Sequence, residues 1–163
     1  MIQVFHMRLA GMVIVAAIGI DQAIKQALIA FMDGEIVLTS FFSIMMVRNH
    51  GVSFGLLTGH TEQARWLLIV MALTITAGLG WWLTKQHRLL PVLGLAMAIG
   101  GALGNVVDRL FRGSVVDYLY LHLQNWSWPA FNFADTCITL GVVLIVLDGL
   151  FVPDPPRNTV RNV

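Results

Sequence analysis

The chain alternates between four long apolar runs and shorter polar stretches. The apolar runs cover about 7–31, 66–83, 89–109 and 132–152. Each approaches or exceeds the roughly 20 residues that an α-helix needs to cross a bilayer. Arg8 opens the first run, but no clear small-residue cleavage site ends it, so we interpret it as a retained helix and not as a removed signal peptide. The pattern predicts one membrane domain over residues 1–163 with four transmembrane helices.

The pattern changes between the first two runs, from Asp33 to Glu62. This segment is rich in β-branched and aromatic residues and is too broken for a spanning helix. We predict a small β-sheet, called the cradle below, over about 34–58. Asn49 and Gly51 lie near its polar centre, where the local sequence is typical of a turn. Alternatively, Asn49 and neighbouring backbone groups hold an extended substrate by strand addition.

Composition identifies the solvent as lipid. The chain is 57% hydrophobic and only 12% charged, more apolar surface than a soluble protein of this size could bury. A net charge of +1 without a basic run argues against nucleic acid as a partner. Cys137 is the single cysteine, which excludes an intrachain disulfide, and His50 has no ligands at a zinc-like spacing. We therefore predict no metal and no other cofactor.

Polar residues within the apolar helices are costly in a membrane, so they are candidates for function. Asp21 and Lys25 are four residues apart, either as a pair that neutralises itself or as one that orients a nearby site. The spacings of Asn105, Asp108 and Arg109 place them on one helical face. Arg109 could there clamp a carboxylate with two hydrogen bonds, or the three could form an interfacial ion cluster.

Two aspartates border the same predicted membrane interface. Asp117 follows the third helix, and Asp135 lies in the first turn of the fourth, three residues after Asn132. Two carboxylates held together share a proton, so one can take a proton from water while the other protonates a leaving amine. No serine with a lysine or histidine partner and no H-E-x-x-H motif offers other chemistry. We predict a peptide-hydrolysing aspartate pair. From the residues alone, a proton or ion pathway and a structural polar cluster remain open.

Five motifs in order carry a resemblance that covers nearly the whole chain. They are D-Q-A-I-K at 21–25, N-H-G-V-S-F-G at 49–55, G-G-A-L-G-N-V-V-D-R at 100–109, G-S-V-V-D-Y at 113–118 and F-N-F-A-D-T at 131–136. With them the chain resembles the lipoprotein signal peptidase (signal peptidase II) family of bacterial membrane aspartyl proteases. The resemblance implies a mainly α membrane protein with four transmembrane helices, a small periplasmic β-cradle and a short periplasmic helix. We associate that short helix with the loop before Pro129.

The resemblance also implies roles for individual residues. Asp117 and Asp135 would be the catalytic pair. The substrate-binding and supporting residues would be Asn49, Gly51, Asn105, Asp108, Arg109, Asn132, Asp21 and Lys25. Tyr118 and Phe133 stand in place of similar apolar groups, and we expect neither to touch the chemistry.

The implied activity is removal of signal peptides from diacylglyceryl-modified prolipoproteins, with cleavage on the amino side of the lipidated cysteine. The expected partners are that lipid-modified prolipoprotein and membrane lipids, and we expect a monomer that binds no nucleic acid. The rival classes are a small channel or carrier that relays protons and an inactive binding homologue.

Charge between and after the helices predicts the orientation. Lys85 and Arg88, with Arg157 and Arg161 in the tail, favour cytoplasmic termini and a site at the periplasmic face of the inner membrane. The distribution of basic residues does not point only to this orientation, because three arginines fall on the predicted periplasmic side: Arg48, Arg65 and Arg112. The polar, proline-rich tail over about 153–163 is predicted to be disordered.

Overall fold

Four long helices dominate the computed structural model, which describes residues 2–51, 62–124 and 126–151. They are α1 (Ile2–Phe31), α2 (Glu62–Leu83), α3 (Leu89–Arg112) and α4 (Phe133–Phe151). Each is long and apolar enough to cross a membrane. A small antiparallel sheet accompanies them, so the predicted class of a mainly helical membrane protein with a small sheet is confirmed.

Helix α3 extends beyond its predicted end at 109. It continues through Arg112 and ends at Gly113, whose φ of 78° is the left-handed conformation that glycine adopts without strain. The polar residues Asp108 and Arg109 therefore lie inside the helix and do not end it. The predicted disordered tail, from 153 onward, lies outside the described residues.

The centre of the bundle is α3. In its most apolar stretch 67% of the residues are buried, against 17–22% in the other three helices. Small residues allow this close packing. A Cβ on Gly94 would lie 2.6 Å from the carbonyl oxygen of Gly141 in α4, and one on Gly100 would lie 2.7 Å from the Cβ of Ala17 in α1. The outward faces of α1, α2 and α4 are left for lipid.

The sheet contains four antiparallel strands in chain order: β1 (Ile36–Thr39), β2 (Phe42–Asn49), β3 (Val115–Leu123) and β4 (Trp126–Ser127). The cradle prediction over about 34–58 covers β1 and β2, and residues 52–58 lie outside the described part of the chain. Two of the four strands come instead from the segment after α3. Its residues Val115–Leu123 are β-branched, aromatic and leucine-rich, which suits a strand paired with β2.

The short helix implied by the resemblance is not found in residues 2–51, 62–124 or 126–151. The loop before Pro129, with which we associated it, forms β4. Gln124 has a φ of 52° and turns the chain after β3, so that Leu123 pairs with Trp126. The described residues of this loop therefore belong to a strand pair and not to the expected helix.

Candidate active site

Strand β3 places Asp117 beside the end of β2. Asp117 lies opposite Val47, so Asn49, two residues further along β2, shares its face of the sheet. Asn49 Nδ2 donates to Asp117 Oδ2 at 2.9 Å. The backbone N–H of Gly51 donates to Asn49 Oδ1 at 3.1 Å. Asn49 therefore closes a local turn and contacts the aspartate at the same time.

The first turn of α4 holds Asp135 through a reciprocal cap. The backbone N–H of Asp135 donates to Asn132 Oδ1 at 2.9 Å, and the backbone N–H of Asn132 donates to Asp135 Oδ2 at 3.2 Å. This is the arrangement of a capping box, which satisfies two amides that have no partner inside the helix. The negative carboxylate also lies at the positive end of the helix dipole. The spacing N-F-A-D thus fixes Asp135 by local structure.

The segment before α4 pairs with β3 and so connects the strand that contains Asp117 with the helix that contains Asp135. The backbone N–H groups of Tyr118 and Leu119 donate to the carbonyl of Phe131 at 3.0 and 2.8 Å. The N–H of Phe131 donates back to the carbonyl of Leu119 at 3.0 Å. Strand β3, with Asp117, is therefore tied by its backbone to the residues directly preceding Asn132.

Two asparagine side chains connect the aspartates. Asn132 Nδ2 donates to Asp117 Oδ1 at 2.6 Å and to Asn105 Oδ1 at 3.2 Å. Asn105 Nδ2 donates to Asp135 Oδ1 at 2.8 Å. Each carboxylate therefore receives an amide hydrogen bond on each of its two oxygens. Among the residues predicted for the site, this brings together Asp117, Asp135, Asn49, Asn105 and Asn132.

A buried ion cluster lies behind the asparagines. Lys25 Nζ is 2.8 Å from Asp21 Oδ2 and 2.8 Å from Asp108 Oδ2, and it donates to Asn105 Oδ1 at 3.2 Å. All three charged side chains are inaccessible to solvent. Asp21 and Lys25 thus do not neutralise only each other: the lysine contacts the amide that holds Asp135. Charges so deep are tolerated because each is paired and hydrogen-bonded.

Asp108 connects that cluster to strand β3. Its Oδ2 accepts the backbone N–H of Val116, the residue before Asp117, at 3.1 Å. Its Oδ1 is paired with Arg112. Asp108 therefore turns toward α1 and β3, whereas Asn105 and Arg109 border the open cavity. Contrary to our prediction, the three residues therefore do not share one face. An α-helix has 3.6 residues per turn, so Asp108, three residues after Asn105, lies to one side of it, and Arg109, four residues after it, lies to the other side.

Arg109 faces the aspartates without clamping either of them. Its Nη1 donates to the carbonyl oxygen of Asn105 at 3.4 Å, and in the part of the chain that the structure describes it forms no ion pair with a carboxylate. Its positive charge nevertheless acts on Asp117 and Asp135. The guanidinium is thus available to a group that enters the cavity.

A cavity of about 620 Å³ opens onto both aspartates. Its polar wall includes Asn49, Gly51, Asn105, Arg109, Asp117 and Asp135. The apolar wall includes Leu121, Trp126, Trp128, Phe131 and Leu140. One small polar region inside a largely apolar cavity is typical of a site that orients a substrate through few groups.

Burial is the main influence on the pKa of the Asp117 carboxyl. It raises this pKa from 3.8 to about 6, because an anion removed from water is less stable. The hydrogen bonds from Asn49 and Asn132 and the charge of Lys25 oppose this rise, whereas the negative charge of Asp135 adds to it. A carboxyl group with this pKa can gain and lose a proton near neutrality.

Among the residues that the structure describes, no three of His, Cys, Asp and Glu lie close enough together to hold a metal ion.

Sequence reasoning missed two polar residues of the ion cluster. Gln22 Nε2 donates to Asp108 Oδ1 at 3.1 Å, and Arg112 Nη1 donates to Gln22 Oε1 at 2.7 Å. A signal for Arg112 existed, because it lies one helical turn after Asp108. Gln22, next to Asp21, offered none beyond its polarity within a membrane helix.

Known proteins resemble the chain over most of its length. A family model described as signal peptidase (SPase) II matches residues 13–151. A protein named lipoprotein signal peptidase from Azoarcus sp. is 45% identical over 150 residues, which cover 87% of this chain and 83% of that protein. One of the same name from Methylobacterium sp. is 41% identical over 137 residues, covering 82% and 83%. A solved structure described as a bacterial membrane enzyme has a TM-score of 0.77 and 26% identity, covering 90% of this chain and 93% of that one.

Proposed function

We propose, since this chain belongs to the signal peptidase II family, that Asp117 and Asp135 cut the signal peptides of prolipoproteins by acid–base catalysis. One observation carries the proposal. The two carboxylates line a single cavity at the sheet end of the bundle, and Asn132 donates to both, to Asp117 from its side-chain amide and to Asp135 from its backbone N–H. This arrangement supports Asp117 and Asp135 as the two carboxyl groups of the aspartic peptidase.

The reaction uses one proton shared by the pair. The ionised carboxylate takes a proton from a water molecule, whose oxygen bonds to the scissile carbonyl carbon. The protonated carboxyl donates a hydrogen bond to the carbonyl oxygen. The leaving nitrogen then receives a proton as the carbon–nitrogen bond breaks, and the pair again holds one proton. No covalent intermediate and no cofactor are required.

The surrounding polar groups keep the two carboxylates in place. Asn49, Asn105 and Asn132 donate to them from three different elements, which limits their rotation. Arg109 supplies positive charge where the carbonyl oxygen becomes negative. The backbone near Gly51, at the end of β2, holds the substrate in an extended form.

Three buried ions act through these groups. Lys25 orients Asn105, Asp108 orients the backbone before Asp117, and Asp21 accepts the N–H of Ala134 next to Asp135 at 3.1 Å. They are positioning residues, since none of them lines the cavity. Their part in the reaction is to hold strand β3 and helix α4 in a fixed relation.

The substrate fits the position of the site. A diacylglyceryl-modified prolipoprotein brings its scissile bond, on the amino side of the lipidated cysteine, to the membrane surface. The apolar wall with Trp126, Trp128 and Leu140 suits acyl chains and the signal helix. We place the site at the periplasmic face of the inner membrane, with membrane lipids as neighbours. We expect the protein to act as a monomer.

A cleavage assay on purified protein tests the proposal. Asp117→Asn and Asp135→Asn should each lower turnover of a diacylglyceryl-modified prolipoprotein by at least about 100-fold, because the shared proton is lost. Asp33→Asn, which alters an exposed carboxylate outside the site, is the matched control and should retain wild-type activity.

The same assay uses an unmodified prolipoprotein as a second substrate, which should not be cleaved. Unchanged turnover in either site variant would remove that aspartate from the catalytic pair. A folded wild-type protein that cleaves neither substrate would favour the proton-relay class, which flux measurements in vesicles would then examine.

A further inference from the structure

Tyr118 directly follows Asp117 and faces the opposite side of β3. Its side chain is only 4% exposed. The hydroxyl oxygen accepts the backbone N–H of Phe133 at 3.2 Å. Phe133 is the first residue of α4, so this N–H has no carbonyl partner within the helix. The tyrosine is therefore more than an apolar group of the expected size.

The first three backbone N–H groups of α4 donate to acceptors in three different parts of the chain. The N–H of Phe133 goes to Tyr118 on β3, that of Ala134 goes to Asp21 on α1, and that of Asp135 goes to Asn132 before the helix. Only Tyr118 belongs to the strand that carries Asp117. It is thus a side-chain link between the strand of one aspartate and the helix of the other.

We propose that the hydroxyl of Tyr118 is a positioning group for the aspartate pair. The hydroxyl holds the first N–H of α4, that of Phe133. Because Asp117 directly precedes Tyr118 and Asp135 lies two residues after Phe133, this hydrogen bond fixes the distance between the two aspartates. The inference rests on the proposed function, because the separation of these aspartates matters only if they act together.

Removal of the hydroxyl should loosen the pair without unpacking the strand. A phenyl ring fills almost the same volume, but it leaves the partly buried Phe133 N–H without a protein partner, which is unfavourable. The first turn of α4 then shifts or frays. Displacements of about 1 Å near reacting groups can lower rates by up to roughly 100-fold.

The test compares the only two tyrosines of the chain. Tyr118→Phe should lower kcat on a lipidated peptide substrate roughly tenfold, with KM within about twofold of wild type, because the loss falls on the transition state. Tyr120→Phe deletes the same hydroxyl two residues later on β3. Tyr120 stacks on His122 and does not line the cavity, so this control should retain wild-type kcat.

The pH profile separates positioning from a merely structural role. The negative charge of Asp135 raises the pKa of Asp117. If Tyr118→Phe lets the aspartates move apart, the pKa of Asp117 should fall, and the limb of the pH profile of kcat that reports this carboxyl should move to lower pH. A smaller folded fraction would lower kcat at every pH without moving that limb. The other charged groups that face the pair, Arg109 on α3 and Lys25 on α1, are untouched by the substitution.

A second variant removes the donor instead of the acceptor. Proline is well tolerated at the first position of a helix and lacks the N–H. Phe133→Pro is compared with Phe133→Ala, which loses the same side chain but keeps that N–H. Proline should lower kcat roughly tenfold relative to alanine in the wild-type background, and by less than about twofold when Tyr118 is already phenylalanine.

The outcomes distinguish the two levels of inference. Wild-type kcat and profile in Tyr118→Phe, with Asp117→Asn and Asp135→Asn inactive, would overturn the positioning role alone. Active aspartate variants would overturn the proposed function itself. If Tyr118→Phe does not fold, equal kcat values for Phe133→Pro and Phe133→Ala would overturn the positioning role.

Discussion

At the scale of single residues, the site is a balance between burial and hydrogen bonding. Asp117 is 2% exposed, which favours its neutral form, yet both of its oxygens accept amide hydrogen bonds, which favour the anion. Burial outweighs the amides, and the pKa of Asp117 rises to about 6. The residue can therefore exchange a proton under mild conditions, as acid–base catalysis requires.

The charge of Asp135 contributes to that rise, and its removal should be measurable. Because a nearby negative charge disfavours a second anion, Asp135→Asn should lower the pKa of Asp117 below about 6. More of Asp117 is then ionised at any given pH. Carbon-13 NMR of labelled aspartate carboxyl groups, titrated in detergent, would follow the change. Asp33→Asn should leave the titration unaltered, and an unchanged or higher pKa in Asp135→Asn would contradict a direct interaction within the pair.

At the scale of secondary-structure elements, the sequence predicted the helices better than the sheet. Long apolar runs identify membrane helices, because the bilayer demands their length. Strand β3 lacked such a signal: it is a short apolar stretch after a helix, and its partner β2 lies about 70 residues earlier. Local patterns show that a segment can be extended, but pairing depends on distant residues. Hence the sequence identified Asp117 as a candidate residue after the third helix, but its contact with Asn49 could not be derived.

The contact of α3 with α4 determines where Asp135 lies. A Cβ on Gly101 would collide with the carbonyl oxygen of Ala134 and lie 2.9 Å from Ile138 Cγ1. Gly101→Ala should therefore push the first turn of α4 outward, destabilise the fold by roughly 1–3 kcal/mol and lower cleavage at least about tenfold. Thermal unfolding in detergent and the cleavage assay would measure the two effects.

Gly149 provides the matched control for Gly101. It also lies in a membrane helix, α4, but a Cβ there meets nothing within 4 Å. Gly149→Ala should keep wild-type cleavage and stability. Equal behaviour of the two alanine variants would mean that the α3–α4 distance is not set by Gly101.

At the scale of the whole molecule, polar groups are concentrated at the sheet end of the bundle. Asp21, Lys25, Asp108 and both site aspartates gather there, where α3 ends and α4 begins. The sequence identified these residues, because ionisable groups are rare in membrane helices. It could not assign their partners: a helix-face argument grouped Asp108 with Arg109, whereas Asp108 turns to Lys25 on α1.

The opposite end carries a different set of polar groups. Gln3 Nε2 donates to the carbonyl of Thr84 at 3.3 Å, and Arg88 pairs with Asp148 at 3.0 Å. These contacts join the start of α1 to the α2–α3 connection, and the start of α3 to the far end of α4. The two ends are therefore separate polar layers with the apolar bundle between them, which is the arrangement of a protein that crosses a membrane.

The orientation of these two ends in the membrane can be measured with single cysteines. Glu35, next to β1, and His87, between α2 and α3, are both exposed, whereas the native Cys137 is buried and gives a low background. In intact spheroplasts, a membrane-impermeant maleimide should label Glu35→Cys, because we propose that the sheet end faces the periplasm. His87→Cys should react only after the inner membrane is permeabilised, since basic connections stay in the cytoplasm. Labelling of His87→Cys but not of Glu35→Cys in intact spheroplasts would mean that the protein has the opposite orientation, with the aspartate pair at the cytoplasmic face.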